Sequence, residues 1–205
     1  GAEAFASIPN RWQNAAHEDL TGLEKAVVDL RRALGRSHAG ERDTIRRLIT
    51  EVYPTGPVSI VMDTRDFWQV ITEVLPSLKA EIMARGPDTL GRPGCVVVRP
   101  DSGDPVKIVV GDNDADRACV RAGAWECLWG TFGGTYLEGD GKNEYALLDS
   151  HVGLIYGDAI SRQRQSAILS GLTEKGFVTR IVLGIGSFTY QFVTRDTYGQ
   201  AMKAT

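Results

Sequence analysis

Arg99 and Asp101 are the side chains best placed for chemistry. They follow the apolar run Cys95-Val96-Val97-Val98, in the stretch Arg99-Pro100-Asp101-Ser102-Gly103-Asp104-Pro105. A short β-branched run reads as a buried strand. Side chains alternate along a strand, so Arg99 and Asp101 point the same way, and Pro100 stiffens the link between them. An Arg at the mouth of a buried strand suits an anion, because its planar fork can hold a phosphate through two parallel hydrogen bonds. The same pair could instead close on itself as a surface loop.

Three other apolar runs end in similar punctuation: Asp63-Thr64, Gly157-Asp158 and Gly184-Ile185-Gly186-Ser187. The last lacks the full G-x-G-x-x-G spacing, so it does not argue for a dinucleotide. It does suit a phosphate: glycines let backbone N–H groups approach closely, and Ser187 adds a hydroxyl. Arg195 could neutralise that phosphate, although pairing with Asp196 explains it equally well. Asp158 is an anion and fits ribose hydroxyls or Mg²⁺ better than phosphate. Asp63 fits a hydroxyl or the orientation of a His. A shared polar ligand explains the four ends together; four unlinked turns are the plainer alternative.

The elements that must position these residues alternate. Leu20, Leu23, Val27, Leu30 and Leu34 predict a helix over 18–34, and Ile45, Leu48, Ile49 and Val52 predict another over 40–52. Strands are expected at Val58–Met62, Cys95–Val98, His151–Tyr156 and Val178–Leu183, with a last one at 198–205. Helices are expected at Asp66–Arg85, kinked or split by Pro76, at Val106–Val110 behind an Asp104-Pro105 cap (a stretch whose composition also allows a strand), at Ala118–Leu128 and at Ser161–Lys175. Residues 132–150 read as a hairpin or mobile loop. Alternating strands and helices predict an α/β fold with a parallel sheet, whose ligands bind at the carboxyl ends of the strands.

Composition narrows the partners. A net charge of −3 gives no basic footprint for nucleic acid. No apolar run approaches the roughly 20 residues that span a bilayer. No signal peptide is visible, and Gly1 implies a processed or truncated start. Cys95, Cys119 and Cys127 lack C-x-x-C spacing and read as buried free thiols in a reducing cytoplasm. His17, His38 and His151 show no metal-ligand pattern, so no protein-held metal site is expected.

Val58-Ser59-Ile60-Val61-Met62-Asp63-Thr64, the Val97–Pro105 stretch, Tyr156-Gly157-Asp158, and Gly184–Ser187 with Thr194-Arg195-Asp196 occur in the order and spacing that nicotinamide phosphoribosyltransferases show. The chain resembles that family over about 40–205, while residues 1–39 form a poorly matched helical segment. The resemblance implies a type II phosphoribosyltransferase with a (β/α) barrel-like domain, incomplete in this stretch of chain. It also implies a homodimer, and Mg²⁺ carried with phosphoribosyl pyrophosphate. The implied reaction joins nicotinamide to phosphoribosyl pyrophosphate, for NAD biosynthesis in the cytoplasm. Arg99 would face the base and phosphates, Asp101 and Ser59 would place base and ribose, and Asp63 would orient a catalytic His. Gly157 and Asp158 match ribose contacts; Gly186, Ser187 and Arg195 match the 5′-phosphate site. The matching stretch for that His is Leu30-Arg31-Arg32-Ala33-Leu34, which has none, and His17 and His38 read as solvated. ATP, which acts through that His in the family, is therefore only a candidate activator. The alternatives are a nicotinate or quinolinate phosphoribosyltransferase, or a binding module without turnover.

Overall fold

A computed structural model describes residues 38–139 and 144–184 of the chain. One compact unit spans Thr44–Thr194 and contains the sheet. The expected helix over 18–34, the Gly186-Ser187 turn, Arg195 and the expected strand at 198–205 lie outside the described residues.

Four parallel strands form an open sheet in the order β1-β2-β5-β6, where β1 is Pro57–Val61, β2 Cys95–Arg99, β5 Val152–Tyr156 and β6 Val182–Leu183. A separate antiparallel hairpin, β3 Gly134–Glu138 with β4 Glu144–Leu148, is inserted between β2 and β5. The α/β class and parallel sheet predicted from sequence are present, and among the described residues the sheet does not close into a barrel.

The pleat sorts the strands. Val58, Ile60, Val96, Val98, Val152, Leu154 and Tyr156 are buried on one face, in a single cluster with Ile71, Leu75, Ile82, Trp125, Leu128, Ile168 and Leu172. Each such apolar side chain contributes about 1.5–3 kcal/mol by leaving water. Ser59, Val61 and Arg99 stand exposed on the opposite face, with Cys95, Val97, Gly153 and Ile155 half-buried there. Helices therefore cover one side of the sheet, while the other side carries Arg99.

Helix α1 runs His38–Arg47 and continues as a π-helical turn, Leu48–Val52. The predicted 66–85 helix is broken. Asp66 caps α2 Phe67–Gln69, accepting from the Trp68 and Gln69 N–H groups at 3.0 and 3.1 Å. A π-helical turn Val70–Val74, α3 Leu75–Ser77 and α4 Lys79–Met83 follow. Pro76 has no N–H to donate, and the helix bends at Leu78, with φ −108° and ψ 11°. Asp104 caps α5 Pro105–Val109 as its Asp-Pro signature predicts.

The expected single helix at 118–128 is two, α6 Ala118–Ala122 and α7 Ala124–Phe132. Gly123 separates them at φ 85°, and any Cβ there would lie 2.4 Å from the Val110 carbonyl carbon. Helix α8 Arg162–Glu174 begins at the expected Ser161 cap. The expected strand at 178–183 is in the sheet only at Val182–Leu183. Its first residues turn to the hairpin instead: Ala146 N–H donates to Gly176 at 2.8 Å, and Val178 N–H donates to Ala146 at 2.9 Å. The three cysteines are free, as expected, but half-buried rather than buried.

At the amino ends of β1 and β2 the frame is tied by Arg85, which is 5% exposed. Its guanidinium donates to the carbonyls of Ile49, Tyr53 (2.7 Å) and Gly56 (2.6 Å). Gly56 in turn accepts from Cys95 N–H at 3.2 Å. One buried cation thus closes the last turn of the first helix and the entry to the sheet.

Candidate active site

Asp63, Arg99, Asp101, Gly157 and Asp158 meet at the carboxyl ends of adjacent parallel strands. The register pairs Val61 with Arg99, and Met62 N–H reaches the Arg99 carbonyl at 3.2 Å. The ladder then continues through side chains. Asp63 Oδ2 accepts from Asp101 N–H at 2.8 Å and from the Ser102 hydroxyl at 2.6 Å. Asp63 thereby fixes the start of the loop that carries Asp101. Ser59 pairs in register with Val97, one pleat back from Arg99 on the same face.

On the other flank lies β5. A Cβ on Gly157 would stand 4.0 Å from Arg99 Nη2, so the guanidinium lies over a residue with no side chain. Gly184 follows, its N–H donating to the Tyr156 carbonyl at 2.8 Å. A Cβ on Gly184 would come within 2.9 Å of Gly157 Cα, so glycine is needed for these two chain segments to lie this close. Ala159, next to Asp158, has φ 52°. That is left-handed backbone in a residue with a Cβ, the kind of local strain that recurs at functional sites. Arg164 Nη1 holds the Ala159 carbonyl at 2.7 Å.

Arg99 Nη2 and Asp101 Oδ1 are 3.5 Å apart, with side chains 44% and 49% exposed. The pairing foreseen as an alternative is therefore present. Such an exposed, single contact is worth at most about 1 kcal/mol. An arriving phosphate could take the carboxylate's place at little cost, and both oxygens of a phosphate match the guanidinium fork.

Tyr156 was given no role by its sequence, although it closes the buried run just ahead of Gly157-Asp158. Its hydroxyl donates to the carbonyls of Ser102 at 2.6 Å and Gly103 at 3.1 Å, and its side chain is fully buried. Burial first, and then the carboxylates of Asp158, Asp63, Asp104 and Asp101, push its hydroxyl up to about 12. Among the described residues no group of three or more His, Cys, Asp or Glu side chains is set to hold a metal ion.

The sequence model of the nicotinate phosphoribosyltransferase (NAPRTase) family matches residues 17–205. The chain belongs to the nicotinate phosphoribosyltransferase family. Within curated relatives, it is similar to the nicotinamide phosphoribosyltransferase of Acinetobacter baylyi, with 46% identity over 207 residues. That match covers 100% of this chain and 40% of the relative. Similarity to the proteins of the same name from Mycoplasma pneumoniae (34% over 168 residues) and Xanthomonas campestris pv. campestris (33% over 168 residues) covers 81% and 80% of the chain. It covers 35% and 31% of those relatives, so the chain spans well under half the length of each. In this nicotinate phosphoribosyltransferase family member, the strand ends quoted for the resemblance that fall within the described residues form one continuous corner of the sheet.

Proposed function

We propose that this chain forms the part of a nicotinamide phosphoribosyltransferase that holds ribose, phosphate and base, making nicotinamide mononucleotide and pyrophosphate in NAD biosynthesis. The observation that carries the reading is the placement of Arg99. It is exposed, loosely paired, and set against Gly157-Asp158 at the carboxyl end of a parallel sheet.

The ring nitrogen of the base forms a bond to C1 of the ribose. The C1–O bond to pyrophosphate breaks, and its electron pair leaves with pyrophosphate. The protein supplies position and charge. Arg99 offsets phosphate charge, and Asp101 and Asp158 face the positive charge that develops on the sugar. Asp63 keeps the Asp101 loop in place. Ser59 contacts the base, and Gly186, Ser187 and Arg195 take the 5′-phosphate. Mg²⁺ neutralises the pyrophosphate when bound. Asp158 would be the protein's contribution to an ion carried by the substrate's own phosphates.

The family description favours a second reading, with nicotinate as the base. Product analysis with each base separates the two. Three free cysteines support a reducing, cytoplasmic location, and the family resemblance supports a homodimer. Calorimetry with nicotinamide mononucleotide tests the site directly. Binding by the wild type that Arg99→Ala abolishes is the expected result. No binding by the wild type, or equal binding by the variant, overturns the assignment.

A further inference from the structure

Tyr156 occupies the junction of three strand ends. Its backbone carbonyl accepts from Gly184 N–H at 2.8 Å, its chain continues directly into Gly157-Asp158, and its hydroxyl reaches across to the loop after β2. That loop is held from both flanks. Asp63 takes the Asp101 N–H and the Ser102 hydroxyl from the β1 side, while Tyr156 takes the Ser102 and Gly103 carbonyls from the β5 side. The ring lies on the helix-covered face with Pro100 buried, and Arg99 and Asp101 are exposed.

We infer that Tyr156 is a positioning residue: its hydroxyl locks the 101–104 loop to β5 and so sets the spacing between Arg99-Asp101 and Gly157-Asp158. Each link is local and directional. Four of the loop's polar groups are engaged: one N–H and one hydroxyl by Asp63, two carbonyls by Tyr156. Without the phenol oxygen, the Ser102 and Gly103 carbonyls lose this donor, and the tie from the loop's middle to β5 is gone, while Asp63 still holds its start and the Asp104 cap its end. The phenol stays protonated, and therefore a donor, across any working pH. The ligand side of this inference rests on the proposed function; the loop-locking side does not.

Tyr156→Phe removes one oxygen and keeps the buried ring. Two measurements on the protein that carries this chain decide the matter. The first is amide hydrogen exchange. Exchange of the Asp101 amide, the loop N–H that donates to Asp63, should accelerate about tenfold, the size of one lost hydrogen bond, with amides of β1 and β2 unchanged. The second is calorimetry with nicotinamide mononucleotide. Affinity should fall about tenfold in the wild-type background and less than about threefold in an Arg99→Lys background, because the lock acts through the loop that carries Asp101, the partner of Arg99. A generally weakened fold would not give that coupling. Unchanged loop exchange, unchanged affinity, or an equal loss in both backgrounds overturns the inference. If the wild type does not bind the nucleotide, the proposed function falls. Loop exchange then decides Tyr156 alone: local acceleration supports the lock, and its absence overturns it.

Discussion

At the amino ends of β1 and β2, Arg85 is 5% exposed and its guanidinium is committed to three backbone carbonyls. At the carboxyl ends, the Arg99 side chain is 44% exposed and meets one carboxylate at 3.5 Å. Arg99 ends β2, whereas Arg85 follows α4 and reaches the start of β1 through its side chain. Arg85 directs both terminal nitrogens to carbonyls inside the molecule, and its Nε has no partner among the described residues. Arg99 keeps most of its donors for something outside. The same side chain thus serves as a rivet at one end of the sheet and as a receptor at the other. What separates the two is burial and partner type rather than charge.

The largest effect expected from breaking this contrast is at the rivet. Arg85→Ala removes a donor from three carbonyls, of which Gly56 keeps the Cys95 N–H, and leaves a cavity; it should lower unfolding stability by roughly 3–4 kcal/mol in a denaturant titration. Arg99→Ala should do the reverse. It should leave stability within about 1 kcal/mol of wild type while weakening nicotinamide mononucleotide on the order of 100-fold, as loss of a two-pronged charged contact does. If both variants moved stability equally, the division between the two ends would fail.

A smaller effect is expected at Asp66, beside the site end of β1. Burial raises its carboxyl, but the N–H groups of Gln69 and Trp68 and the Arg117 guanidinium outweigh that and hold it below the usual carboxylate range. Its capping contribution is therefore present above the unfolded-state value near 4 and lost as pH falls through the lower folded value. Asp66→Ala should cost about 1 kcal/mol at neutral pH, a difference that vanishes in strong acid. Thermal melts across pH check both the size and the sign. Smallest of all, Ala159→Gly should stabilise by about 0.5 kcal/mol, because left-handed backbone strains Ala more than the added chain entropy of Gly costs. A loss of stability there would show that Ala159 is not strained.

Much of the scaffold was legible because its signals are local. β-branched runs marked β1, β2 and β5, and Asp104-Pro105 and Ser161 marked helix starts that are occupied as caps. Arg99, Asp101 and the Gly157-Asp158 turn were singled out for the same reason: they punctuate those runs. The misses are non-local. Nothing in the residues around Gly123 announces that the backbone of Val110 will press against it. Residues 178–181 have strand composition, yet the nearer partner is the hairpin at Ala146. Arg85 reads as the polar end of a helix, and Tyr156 as one more buried aromatic. Their partners are carbonyl groups, which every residue has, so sequence gives no sign of which will be chosen.

The Tyr156–Ser102 contact joins residues 54 apart in sequence, and the Asp63–Asp101 contact joins residues 38 apart. Parallel strands cannot be paired by a tight turn, so each neighbour in this sheet requires the closure of a long crossover. Contacts of that span form late and slowly, since chain entropy opposes them until several are made together. The corner that gathers Arg99, Asp101 and Gly157 therefore forms only once these crossovers have closed. A small molecule bound there marks completed folding, and by mass action it draws the population away from protease-sensitive open forms.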